Sequence, residues 1–172
     1  PFAQAIAVIM GANMGSTLTA QIIAFRIEAI APLFIAIGFA MTMLADRKRF
    51  TLIGKAVLGL GLLFFGMGMM SQAMEPLRSF QPFLSLMGEM SNPFTAILVA
   101  AAFTALVQSS AATMGIVIVL AGQGLVSLEG GIALIFGANI GTCVTALLGA
   151  IGKNRDGVRT AVGHILFNVI GV

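Results

Sequence analysis

Thr104-Ala105-Leu106-Val107-Gln108-Ser109-Ser110-Ala111-Ala112-Thr113 places a run of uncharged polar side chains inside an apolar segment that extends over 93–121. The segment holds about 29 residues, more than the ~20 that one bilayer crossing needs and fewer than the ~40 that two need. Two half-helices of about 14 residues would each reach ~21 Å at 1.5 Å per residue, enough to pass the midplane and return. The spacing therefore predicts a re-entrant helical hairpin with residues 108–113 at its tip. Irregular backbone is tolerated at that depth only where protein covers it or where it lines a cavity. Asn92-Pro93 supplies the start, with Asn as N-cap and Pro at the first helical position.

The remainder of the chain fits a membrane setting. Hydrophobic residues make up 59% of the sequence and charged residues 9%, against about 25% charged in soluble domains. Mean hydropathy is +1.06. The fold class read from these numbers is an all-α polytopic membrane protein, with the bilayer as its first partner. The net charge of +3 comes from bases at span ends, which points to membrane orientation and away from nucleic acid. The single cysteine excludes an internal disulfide and any multi-Cys metal site. Trp and Tyr are absent, so Phe, Lys and Arg must anchor the interfaces.

Charge counting supports the hairpin independently. If 93–121 returns to its starting side, seven bases (Arg47, Lys48, Arg49, Lys55, Lys153, Arg155, Arg159) and two acids share one face. The other face then holds two bases, Arg26 and Arg78, and four acids. A straight crossing would split the bases nearly evenly, so the positive-inside tendency favours the hairpin. Arg26 and Glu28 are expected to form a helical near-neighbour pair at one edge.

A second motif, Gly137-Ala138-Asn139-Ile140-Gly141-Thr142, has a near copy 126 residues earlier in Gly11-Ala12-Asn13-Met14-Gly15-Ser16. With a hairpin between them, the two copies cross in opposite directions. That is the layout of an inverted repeat, in which sites form near the midplane between broken helices. The glycines are expected to break both helices, and Thr142 to cap the helix that resumes. Such a restart would present free N–H groups to an anion with several acceptor oxygens, such as phosphate.

The chain is expected to divide into three parts. Residues 1–45 would close a first inverted repeat with a broken helix and a following span. Residues 46–92 would hold a connecting transmembrane helix and an interfacial segment. Residues 93–172 would form a second repeat, with the hairpin over 93–121, a broken helix over 131–152 and a truncated helix over 158–172. A start at Pro1 and an apolar run that stops at Val172 lead us to expect a piece of a larger transporter. Gly54, Gly61 and Gly68 recur at intervals of seven and are read as a helix-packing face.

All six acids lie at loops or span ends, leaving no intramembrane carboxylate for a proton relay. A site of hydroxyls, amides and helix dipoles suits sodium coupling better. No cofactor is called for, and the chain is read as a transporter and not an enzyme. An intramembrane serine hydrolase built on Ser109 or Ser110 with His164 is the reading from another class; the sequence lacks a glycine-framed nucleophile motif.

These motifs resemble the type II sodium-dependent phosphate cotransporters, over nearly the whole chain and closest to bacterial members. The resemblance implies sodium-coupled phosphate symport across the cytoplasmic membrane; another oxyanion is the alternative solute. It implies that Gln108, Ser109, Ser110 and Thr113 belong to a hairpin that binds phosphate and sodium, the same four holding the sodium. Asn139 and Thr142 would line the same site, with Asn13, Ser16 and Thr17 as first-repeat counterparts. Ala111 stands where the family has a third serine, Cys143 where a second threonine is common, and Ser16 where the first repeat usually has threonine.

Overall fold

The structure is a computed structural model that describes residues 2–25, 28–45 and 47–171. Arg26 and Asp46 lie outside the described residues, as does the side chain of Glu28, so the expected Arg26–Glu28 pair falls outside them too. The described residues form eight α-helices: α1 Phe2–Ala24, α2 Ala31–Leu44, α3 Lys48–Met74, α4 Gln81–Glu89, α5 Pro93–Val107, α6 Ser110–Gly122, α7 Leu128–Ala150 and α8 Arg155–Ile170. Short 3-10 turns at Glu28–Ile30 and Glu75–Ser79 complete them. Among the described residues three helices are long and apolar enough to cross a membrane, at Gln4–Ala24, Lys48–Ser79 and Leu128–Ala150, or four if the bent pair Gln81–Glu89 and Pro93–Val107 is one span. Large apolar side chains stand outward on the helices, among them Phe94 at 85% and Leu106 at 84% exposure. Lipid is the solvent in which that surface is stable. This is an all-α membrane protein.

Helix α2 folds back along α3 through glycine contacts. A Cβ on Gly61 would meet Ile35 N at 2.7 Å, and one on Gly54 would meet Thr42 N at 2.9 Å. Gly38 faces the Leu58 backbone. Partner numbers fall on one helix as they rise on the other, so the pair is antiparallel. Close approach of backbones at small residues is how helices associate without a hydrophobic drive between them. The packing role expected of Gly54 and Gly61 is what the helix pair uses.

The hairpin lies between 93 and 122. Asn92 Oδ1 accepts Phe94 N at 3.0 Å, and Pro93 opens α5. Helix α5 ends where Gln108 adopts a left-handed conformation, φ 55°. Ser109 is extended and caps α6, its Oγ accepting Ala112 N at 3.2 Å. Thr104 Oγ1 and Thr113 Oγ1 stand 2.8 Å apart, whereas nine residues of straight helix would separate them by ~13.5 Å. The arms therefore double back. Their far ends meet in one core of Met90, Ala96, Val117, Leu120, Val126 and Leu134.

Directions follow from the contacts. Gly130 faces the Met90 carbonyl, Gly137 the Ile97 carbonyl and Gly141 the Ala101 carbonyl, so α5 and α7 run parallel. Gln123 Nε2 donates to Ser71 O at 3.3 Å and Oγ at 2.9 Å, while Ser109 and Ala111 share a cleft with Leu62 and Leu63. Hence α6 runs parallel to α3, and α7 opposite to it. The basic start of α3 and the basic loop after α7 thus share one end of the molecule. Helix α4 lies at the other end, bent 104° from α5, with Phe83 and Met87 turned onto the core.

Two expectations are corrected. Helices α1 and α7 run unbroken through 11–16 and 137–142. A glycine in a helix costs about 1 kcal/mol relative to alanine, but interrupting the ladder in an apolar medium costs several kcal/mol per unsatisfied group. Gly137 and Gly141 instead clear the face on which α5 lies: a Cβ on Gly141 would sit 2.5 Å from Ala101 O and 2.7 Å from Thr104 Cβ. The interruptions fall at 90–92 and at 108–109.

Candidate functional site

The structure sorts the candidate residues into two polar groups. At the hairpin tip, α6 begins with a set of backbone donors. Ala112 N is capped by Ser109 Oγ, and Thr113 N donates to Ser109 O at 3.2 Å. Among the described residues the N–H groups of Ser110 and Ala111 have no acceptor, which is the usual state of a helix start. Ser110 is half-buried and Gln108 exposed. Thr113 is 4% exposed; its Oγ1 donates to Ser109 O at 3.2 Å and accepts from Thr104, which is fully buried. Three oxygens in a row thus fix the turn.

The second group lines a cleft of about 280 Å³ between α1, α7 and α8. Asn13, Thr17, Asn139 and Asn168 face it, with Met10 and Phe136 among its walls. Asn13 and Asn139 are therefore together, as are Met10 and Phe136, which occupy equivalent places in the two motif copies. Asn13 Nδ2 donates to Asn168 Oδ1 at 3.1 Å, and Asn168 Nδ2 donates to His164 O at 3.0 Å. Ser109 lies instead in an apolar cleft against α1 and α3.

Ser16, Thr17 and Thr142 donate to the carbonyls one turn back, at 3.1, 3.3 and 2.9 Å. The capping role expected of Thr142 is corrected accordingly, because no helix starts there. A hydroxyl that has spent its proton in this way offers only lone pairs outward. Among the described residues no hydrogen bond joins His164 to Ser109 or Ser110, the pairing a serine hydrolase requires.

Two buried polar residues escaped the sequence reading. Thr104 stands inside the quoted stretch, but its role depends on a turn that brings it against Thr113. Asn168, 5% exposed, is an isolated amide in an apolar run, and an uncompensated polar group at membrane depth is itself a signal.

A helical hairpin with polar residues at its tip, set among oppositely directed spans, is an arrangement that membrane transporters with irregular backbone inside the bilayer share. The sequence profile of the Na+/Pi-cotransporter family matches residues 1–72 and 78–171. The chain belongs to that family. It is 30% identical over 172 residues to the uncharacterised protein YqeW of Bacillus subtilis, covering 99% of this chain and 56% of that one. It is 29% identical over 173 residues to YjbB of Escherichia coli, a candidate inorganic phosphate export protein, covering 98% and 31% respectively. With the sodium-dependent phosphate transport protein 2C of Rattus norvegicus it shares 40% identity over 83 residues, 46% of this chain and 14% of the rat protein. The chain spans just over half of YqeW and under a third of YjbB. No solved structure matches it.

Proposed function

We propose that the chain is the site-bearing part of a sodium-coupled inorganic phosphate symporter of the cytoplasmic membrane, its basic end facing the cytoplasm. The observation that carries this reading is the start of α6 at a hairpin tip, where the N–H groups of Ser110 and Ala111 have no acceptor among the described residues and the half-buried Ser110 opens the helix. A helix start favours an anion through both its donors and its dipole, and phosphate has acceptors enough for all of them. Sodium needs lone pairs, which the back-bonded hydroxyls of Ser16, Thr17 and Thr142 and the amides of Asn13 and Asn139 supply. Gln108, Ser109 and Thr113 add oxygens at the tip.

An inverted repeat is part of this proposal. An offset of 126 residues carries the bounds of α1 onto those of α7, and places α2 within two residues of α8. The repeat would survive as paired helices although neither is broken. Residues 1–45 and 93–172 then belong to opposite copies, with α3 and α4 between them.

The test is uptake of labelled phosphate by the full-length protein in proteoliposomes, with an inward sodium gradient and with potassium in its place. Sodium-driven accumulation is the expected result; uptake indifferent to sodium would overturn the coupling. Ser110→Ala should lower phosphate uptake about tenfold or more, the scale of one lost hydrogen bond to a charged ligand. Exposed Ser85→Ala should leave it within about twofold, inside the range of ordinary surface substitutions. Arsenate and sulfate competition decides between phosphate and another oxyanion, since donors at a helix start accept any tetrahedral anion of that size.

A further inference from the structure

We infer that Asn168 is a positioning residue that sets which atom of the Asn13 amide the cleft presents, and so tunes the cleft for a hard monovalent cation. The inference rests on the sodium-coupled reading above. Carboxamide oxygen and nitrogen are ordinarily hard to tell apart, but here the bonding order decides. The His164 main-chain carbonyl can only accept, so the Asn168 atom 3.0 Å from it is Nδ2. Asn168 Oδ1 is then the atom that faces Asn13, and it can only accept, so Asn13 must turn Nδ2 toward it at 3.1 Å. The remaining Asn13 atom, Oδ1, is a pure acceptor with no partner among the described residues, on a side chain that lines the cleft.

The neighbours point the same way. Thr17 Oγ1 spends its proton on Asn13 O at 3.3 Å and offers lone pairs to the same cleft. Asn139 adds a further amide from α7, free to turn its oxygen inward because its side chain has no hydrogen-bond partner among the described residues. Among the described residues the cleft lining carries no charged side chain, so the pull on a cation comes from oriented neutral oxygens. Those require positioning, since a rotated Asn13 amide would offer N–H to a cation and repel it. Asn168 also borders the cleft, but its Oδ1 and Nδ2 are already engaged by Asn13 and His164, so it acts mainly through Asn13.

Sodium and phosphate half-saturation constants of the full-length protein in proteoliposomes supply the test. Asn168→Leu removes both bonds and should raise the sodium concentration for half-maximal uptake about ten- to a hundredfold, the usual cost of losing a partner that orients a metal ligand. Phosphate half-saturation at saturating sodium should change less than about twofold. Asn168→Asp keeps an acceptor for Asn13 Nδ2 at nearly the same volume and should recover most of the sodium affinity. Equal shifts in both constants, or equal impairment by Leu and Asp, would reduce Asn168 to a packing residue and overturn the inference. If Asn168→Leu does not reach the membrane, Asn168→Ala makes the same comparison with less bulk. A wild type whose uptake ignores sodium overturns the coupling and this inference together; a sodium-dependent wild type with an unmoved Asn168→Leu overturns this one alone.

Discussion

Thr104, Thr113 and the Ser109 carbonyl form a relay in which each hydroxyl hands its proton to the next oxygen. The relay holds a turn whose central residue, Gln108, is left-handed, a conformation that costs a non-glycine residue about 1–3 kcal/mol. Thr104→Val should lower stability by about 1 kcal/mol, the net worth of one buried hydrogen bond. Thr104→Ser should restore most of it. In the Thr104→Val, Thr113→Val pair the losses should fall short of additivity by about 0.5 kcal/mol or more, because both touch one bond. Thermal unfolding in detergent measures all four; strict additivity would mean the two hydroxyls do not interact. The sequence marked Thr113, because it follows Gln108-Ser109-Ser110, but not Thr104. Only the return of the chain makes a threonine ahead of the break face one behind it.

At the scale of elements, glycine has two meanings that the sequence does not separate. Gly141 permits contact: a Cβ there would press on Ala101 O and Thr104 Cβ. Gly149, on the same helix, has nothing within 4 Å of its Cβ position. Gly141→Ala should therefore destabilise the protein by about 1–3 kcal/mol through overpacking. Gly149→Ala should be neutral or stabilising by up to about 1 kcal/mol, the helix-propensity gain. Equal thermal shifts for the two would mean that α5 does not lie on this face of α7. Propensity alone makes Gly137 and Gly141 a break. In lipid an unbroken helix with a bare face is worth more than a gap, since the glycines allow α5 to approach and no backbone group is stranded.

For the whole molecule, the parallel course of α5 and α7 and of α6 and α3 requires that the chain enters and leaves the hairpin at one end. Labelling by an impermeant maleimide in intact cells tests this, because the native Cys143 is buried. Glu129→Cys should label from outside, whereas Lys153→Cys should label only after the membrane is opened. Labelling of both from the same side would rule out a full crossing by α7. The sequence by itself determined the membrane class, the length argument for a hairpin, a break within 108–113 that the structure narrows to Gln108 and Ser109, the Asn92 cap and the likeness of the two Asn-containing motifs. Each of those depends on composition, on local chemistry or on distance counted along the chain. Tertiary structure alone decided that α1 and α7 stay whole, that Thr104 locks the tip, and that Asn13, Asn139 and Asn168 share a cleft while Ser109 lies in another. Those outcomes depend on which side chains meet across the fold. A polar group's role in lipid is set by the partner that satisfies it, and for Thr104 and Asn13 the deciding partners lie nine and 155 positions away.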